Sequence, residues 1–359
     1  MPSTENNFKS GLMVSAAPHF VTKLDTQKTM MYVLIGLAPA AVASTILFGF
    51  GALLRIILGM IFACASEWCY NKIMKKPQTI QDLSCCVTGA ILAMNVPSNF
   101  PIWMLAVGCA VAIIIVKCLY GGIGRNIANP ALVGRAVLLL SWTSSMTTWP
   151  LTRFQRASGL YGADAVTGAT PLGDLAAGNL GYANYSLLDM FLGNTGGALG
   201  ETCTIAILIG GIFLIWKKII SPIIPCSFIG TVFIISLVYY AFNPNGVYNA
   251  FQMAIFSILA GGVMFGAFFC ATDYVTSPIL ERGKLVFGIG CGALTVMIRI
   301  LGSYPEGVSF AILLMNIFTP LIDRWAERSF YGIAKREKEA KKAAKAAAAS
   351  ADTAKEAAK

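Results

Sequence analysis

Charge is what this sequence lacks most. Only 12% of its 359 residues are Asp, Glu, Lys or Arg, about half the share found in soluble domains. Histidine is almost missing too: His19 is the single one, which excludes paired-histidine haem ligation within one chain. Ten cysteines are present, yet none has C-x-x-C spacing. The sequence therefore carries no iron–sulfur or zinc signature, no metal site is expected, and the adjacent Cys85-Cys86 reads as buried apolar thiol. Nucleotide-binding patterns are missing as well, because Gly121-Gly122-Ile123-Gly124 follows a hydrophobic run rather than a strand. The segment from Met1 to Lys28 holds no short apolar core with a small-residue cleavage site, so the first apolar run is expected to stay in the membrane.

Hydrophobic residues supply 56% of the chain, above the roughly 45–50% of soluble proteins. Uncharged runs near the roughly 20 residues that cross a bilayer core recur along most of the sequence. The expectation is an all-α polytopic membrane protein of about ten spans, near 29–50, 52–70, 83–96, 101–120, 129–142, 199–216, 222–242, 251–271, 284–302 and 308–322. The runs 83–96 and 129–142 are short. Pieces of that length predict broken or re-entrant helices, which membranes tolerate where protein or a cavity surrounds them.

A net charge of +10 would suggest nucleic acid in a soluble protein, but the positions of the cations give it another meaning. Lys72, Lys75, Lys76, Lys117, Arg125, Lys217, Lys218, Arg282 and Lys284 fall on one side of the predicted spans, whereas Arg55, Arg153, Arg156 and Arg299 fall on the other. The positive-inside rule then predicts cytoplasmic termini and an extracytoplasmic stretch 143–198. This divides the chain into a cytoplasmic leader 1–28, a first membrane unit 29–142, the outer segment 143–198, a second membrane unit 199–322 and a basic Ala/Lys-rich tail 323–359. No nucleic-acid partner is expected; basic residues beside a bilayer attract anionic lipid instead.

The two membrane units share small signatures. Gly89-Ala90 has a counterpart in Gly266-Ala267, and Gly108-Cys109 with Lys117 matches Gly290-Cys291 with Arg299. Units of five spans each place the second copy upside down, an inverted repeat. Acids within or beside the spans are the candidates for an ion path, namely Glu67, Asp273 and Glu201, and Arg135 and Arg299 are available to pair with an acid or a phosphate.

The outer segment contains Gly162-Ala-Asp164-Ala-Val-Thr167-Gly168-Ala169-Thr170-Pro171. Small residues around a hydroxyl let a bulky group approach the backbone, and Pro171 fixes the chain just after it. An ordinary Ser/Thr turn would read the same way.

Asp164-Ala-Val-Thr-Gly-Ala-Thr170 resembles the flavinylation motif of the Rnf D subunits and the B subunits of sodium-pumping NADH:quinone reductase. Val14-Ser-Ala-Ala-Pro-His19 and Gly121-Gly-Ile-Gly-Arg-Asn-Ile-Ala-Asn-Pro130 resemble further blocks of that family. The resemblance implies FMN joined to Thr170 through a phosphoester by a flavin transferase, with Asp164, Thr167, Gly168 and Ala169 completing the motif. It also implies riboflavin at Asn126 and Asn129, other Rnf subunits as partners, and electron relay between ferredoxin and NAD coupled to export of Na+ or H+ across the cell membrane. From the residues alone, Asn129-Pro130 is equally a helix cap. A flavin-free channel or transporter, and a purely structural membrane subunit, are the alternatives from other classes.

Overall fold

The computed structural model describes residues 25–157, 167–177, 185–243, 247–302 and 306–330. The leader with His19, Asp164, and the tail beyond 330 lie outside them.

The chain enters as α1 (Thr26–Phe48), capped by the Asp25 carboxylate on Thr26 N–H, and α2 (Phe50–Ile73) follows directly. Gly49 makes that reversal with φ +97°, a conformation costly to a side chain. Then come α3 (Ser84–Met94), α4 (Ile102–Ala110), which runs on as a π-helical turn Val111–Cys118, and α5 (Pro130–Ser141). The following segment carries α6 (Thr143–Thr147), β1 (Trp149–Pro150), α7 (Arg153–Ala157), β2 (Thr167–Gly168), α8 (Pro171–Ala176) and α9 (Leu187–Leu192). The rest is α10 (Thr204–Trp216), α11 (Ile223–Phe242), α12 (Ala250–Leu259), α13 (Val263–Phe265) with its π-helical extension Gly266–Cys270, α14 (Glu281–Leu301) and α15 (Val308–Phe330).

Among the described residues, five helices are long and apolar enough to cross a membrane, or six if α12 and α13 count as one span bent by 60°. Ile46, Phe50, Ile212, Trp216, Phe242 and Leu301 expose large apolar side chains, as lipid-facing helices do and soluble ones rarely do in such numbers. The protein is a mostly helical, multi-pass membrane protein.

Where the structure departs from the sequence reading, the cause is local. The expected span 251–271 is interrupted after Leu259, because Gly261 and Gly262 both take φ +69° and leave the helical region. The expected end at 322 is passed and the helix continues to Phe330. A two-residue antiparallel pairing, Trp149 with Gly168 and Pro150 with Thr167, adds a strand element to an otherwise helical expectation.

Close helix crossings use glycine. A Cβ at Gly59 would stand 2.9 Å from the Gly89 carbonyl oxygen where α2 meets α3, and a Cβ at Gly210 would run into the Gly36 carbonyl where α10 meets α1. Lipid is as apolar as Leu, so such backbone-to-backbone packing is what holds membrane helices together.

Candidate functional site

The described residues between α5 and α10 pack against α12 and line a cavity with the end of α5. Trp149 and Pro150 of β1 hold Thr167 and Gly168 in register, and Ala169 leads to Thr170, the N-cap of α8. Thr170 Oγ1 accepts the Gly173 N–H at 3.0 Å, and Pro171 at N1 needs no hydrogen-bond acceptor. The turn is braced from behind. Tyr185 donates to the Asp174 carboxylate at 2.5 Å and lies 3.3 Å from the Ala169 carbonyl, and Tyr248 in turn donates to the Tyr185 carbonyl. Leu172, Tyr185, Met190, Met253, Phe256 and Ala260 form a small apolar cluster that ties this segment to α12.

Thr170 is 9% exposed and lies on the wall of a cavity of about 420 Å³, within the size range of small-molecule sites. Gly168, Ala169 and Gly173 form one wall, and Arg135, Met146, Glu306 and Phe310 contribute to the rest. Arg135, from α5, donates to Ser309 Oγ at 3.2 Å and forms an ion pair with Glu306 just ahead of α15. Its Nε–H is buried and has no partner, an unmade bond that a ligand oxygen would satisfy. A flavin fits the composition of this site, with an apolar and glycine-lined wall for a ring system and a guanidinium for an anionic group.

Thr170 also borders a much smaller space, about 10 Å³, with Glu201, Glu306, Thr202 and Gly261. Glu201 sits where the chain 199–200 hydrogen-bonds to the carbonyls of Val96 and Met94 at the end of α3, opposite the α12–α13 break. Burial, then the neighbouring Glu306, pushes the Glu201 carboxyl up to about 8, against the pull of Arg135 and Arg299. Arg299 itself donates to the carbonyls of Ser257, Ala260 and Gly261, which closes the open end of α12. Its Nε–H, like that of Arg135, is buried without a partner, and Glu201 and Glu306 lie close enough to act on it electrostatically.

At the other end of α5, Asn129 caps the helix: its Oδ1 accepts from Ala131 and Leu132 N–H, and its Nδ2 donates to the Cys270 carbonyl across to the second unit. Asn126 and Asn129 line a cavity of about 90 Å³ shared with Lys117, Thr272 and Asp273. Asn126 Oδ1 is buried there without a partner. Burial raises the Asp273 pKa, against a hydrogen bond from Thr276 Oγ1 at 3.0 Å. Glu67 is fully engaged. Its Oε2 meets Lys117 Nζ at 2.6 Å, its Oε1 accepts from Thr79 Oγ1 at 2.5 Å, and Lys117 also donates to Ser84 Oγ at 2.8 Å.

The structure thus gathers Thr167, Gly168, Ala169 and Thr170 at one end and Asn126, Asn129 and Asp273 at the other, with Glu67 in an ion pair near that second end. Sequence reasoning missed Glu306, Ser309 and the Asp174–Tyr185 brace. Glu306 follows Pro305 just before an apolar run, a position that reads as an ordinary loop acid. The partnership of Arg135 and Glu306 spans 171 residues, and no local pattern announces it.

A family model described as NQR2, RnfD, RnfE matches residues 13–332. The chain is 44% identical over 334 residues to the D subunit of the Na+-translocating ferredoxin:NAD+ oxidoreductase complex of Acetobacterium woodii, covering 92% of this chain and 98% of that protein. It is 43% identical over 336 residues to the D subunit of the proton-translocating ferredoxin:NAD+ oxidoreductase complex of Clostridium ljungdahlii, covering 90% and 97%. Identity is 35% over 355 residues to the D subunit of an ion-translocating oxidoreductase complex of Mannheimia succiniciproducens, covering 90% and 99%.

Proposed function

Because the chain belongs to the NQR2, RnfD, RnfE family, we propose that it is the D-type membrane subunit of an ion-translocating ferredoxin:NAD+ oxidoreductase, carrying FMN esterified to Thr170. FMN accepts and donates electrons singly or in pairs, so the work of this chain is to place and tune it. The observation that carries the reading is the position of Thr170: its hydroxyl is fixed by Gly173 on the wall of the 420 Å³ cavity. Arg135 supplies a guanidinium to that cavity, and its unpartnered Nε–H supports a role toward an anionic group. The flavin transferase, the other Rnf subunits and membrane lipid are the partners this reading requires.

Ten crossings follow if the bent α12–α13 pair and the four shorter apolar helices, Ser84–Met94, Ile102–Cys118, Pro130–Ser141 and Thr204–Trp216, join the five long ones. The packing of α1 on α10 and of α5 on α15 supports two equivalent five-span units, the second inverted. In this arrangement the exposed Lys72, Lys75 and Lys217 face the cytoplasm, with both termini, and Thr170 lies outside. Relatives named for Na+ and for protons are about equally similar, so the ion path is argued from the acids. Asp273 borders the 90 Å³ cavity between the units, whereas Glu67 is neutralised by Lys117. A second flavin, riboflavin at Asn126 and Asn129, has the unpartnered Asn126 Oδ1 in its support, and the 90 Å³ cavity would have to widen to admit the ring system.

In-gel flavin fluorescence of the denatured subunit, co-expressed with a flavin transferase, tests the reading. A fluorescent band that is lost in Thr170→Ala is expected. A dark wild-type band, with the transferase active on a control substrate, would favour a flavin-free channel or transporter.

A further inference from the structure

The sequence offers no metal spacing, yet helix packing brings three thiols together. Cys64 lies in α2, and Cys85 and Cys86 lie in the first turn of α3. The two helices touch backbone to backbone at Gly59 and Gly89, and that contact sets their register. Cys64 Sγ is 3.3 Å from Cys85 Sγ and 3.2 Å from Cys86 Sγ, and all three sulfurs lie within 4.8 Å of one another. All three are free thiols, Cys85 buried and the other two half-buried. Cys64 and Cys86 border an open apolar depression with Met60, one turn earlier on α2, and Trp68.

A single buried thiol is a small hydrophobe. Three in mutual contact, with a thioether on the adjoining wall, are a soft donor set, and soft donors select Cu+, Zn2+ or iron–sulfur clusters. Spacing separates these. Thiolates bound at about 2.3 Å to one tetrahedral ion stand about 3.8 Å apart, close to the separations seen. Thiolates capping different irons of a cluster stand further apart. We propose that Cys64, Cys85 and Cys86 form a mononuclear site for one thiophilic cation, Zn2+ or Cu+, whose fourth position faces the depression beside Met60. Binding is redox-neutral: each thiol that becomes a ligand releases its proton, and sulfur keeps its oxidation state. The site does not depend on the flavin reading.

The test is alkylation of the intact complex with a membrane-permeant maleimide, mapped by peptide mass spectrometry, after equilibration under reducing, anaerobic conditions with Zn2+, with Cu+, or with chelator. One of the two ions is expected to abolish labelling at Cys64, Cys85 and Cys86 together, while exposed Cys69 and Cys226 label equally in every arm. The arm that protects identifies the ion. Cys64→Ser is expected to restore labelling of the other two, with the thermal unfolding midpoint in detergent retained as the sign of a folded subunit. Equal labelling of the three in all arms, or a disulfide at Cys64 in the reduced sample, would overturn the proposal.

Discussion

Among the described residues, two buried ionic groups are built in opposite ways. Around Glu67 and Lys117, both carboxylate oxygens and the ammonium have partners, from Thr79 and Ser84 as well as from each other. Around Arg135, Glu306 and Glu201, the count does not close: Arg135 Nε and Thr202 Oγ1 are buried without partners, and cavities of about 420 and 10 Å³ adjoin them. Buried polar groups are costly unless paired. A closed network is explained by the stability of the fold; an open one beside Thr170 is explained by something that binds there. The contrast supports a structural role for the first group and, on the proposed reading, a ligand-binding role for the second.

The sharpest way to break that contrast is to remove one member of the closed pair. Lys117→Ala leaves Glu67 charged, 1% exposed and without its cation, and should cost about 3–5 kcal/mol. Thermal unfolding in detergent would register this as a large fall in Tm, and the double variant Glu67→Gln, Lys117→Met should recover most of it. A functional proton or ion role for Glu67 would show instead as lost ion transport with little change in Tm.

Next in size is the α2–α3 crossing on which the closed pair rests. Gly89→Ala places a methyl against the Gly59 backbone, 2.8 Å from its carbonyl carbon, and overpacking of this kind costs about 1–3 kcal/mol. The same unfolding assay reads it, and covalent flavin should be retained, because Thr170 is at the other end of the bundle.

On the open side the order of effects reverses. Arg135→Gln should lower flavin occupancy at Thr170, measured as fluorescence per mole of subunit, several-fold, while Tm falls by less than in Lys117→Ala. Equal losses of Tm would mean that Arg135 serves the fold alone.

The open side also predicts a dependence on pH. Glu201 holds its proton to about 8 in the folded protein, against an ordinary value of 4.5. Between those values the native state binds more protons than the unfolded one, so stability declines as pH rises through the window. Glu201→Gln should flatten that part of the Tm–pH curve, and an unchanged slope would show that Glu201 stays ionised.

The same contrast explains what could be read from the sequence. Helix existence follows from apolar runs, and the Asn129-Pro130 cap and the Thr170-Pro171 turn are local patterns, so both were legible. The break within 251–271 was written as Gly261-Gly262, yet the surrounding hydrophobicity hid it. Lys117 read as one more cation for the topology count, and its partner stands 50 residues away. The three clustered thiols were scattered for the same reason, since helix packing, not spacing, unites Cys64 with Cys85 and Cys86. Pairings made by tertiary structure leave no mark on a single sequence.

Whether Thr170 carries the flavin is tested most directly by peptide mass spectrometry of the protein purified from cells with an active flavin transferase, fragmenting the peptide that spans Thr167 to Asp174. The expected result is a mass increase equal to FMN less one water, localised to Thr170 and missing at Thr167. An unmodified peptide from a protein that still supports ferredoxin-to-NAD electron flow would contradict it.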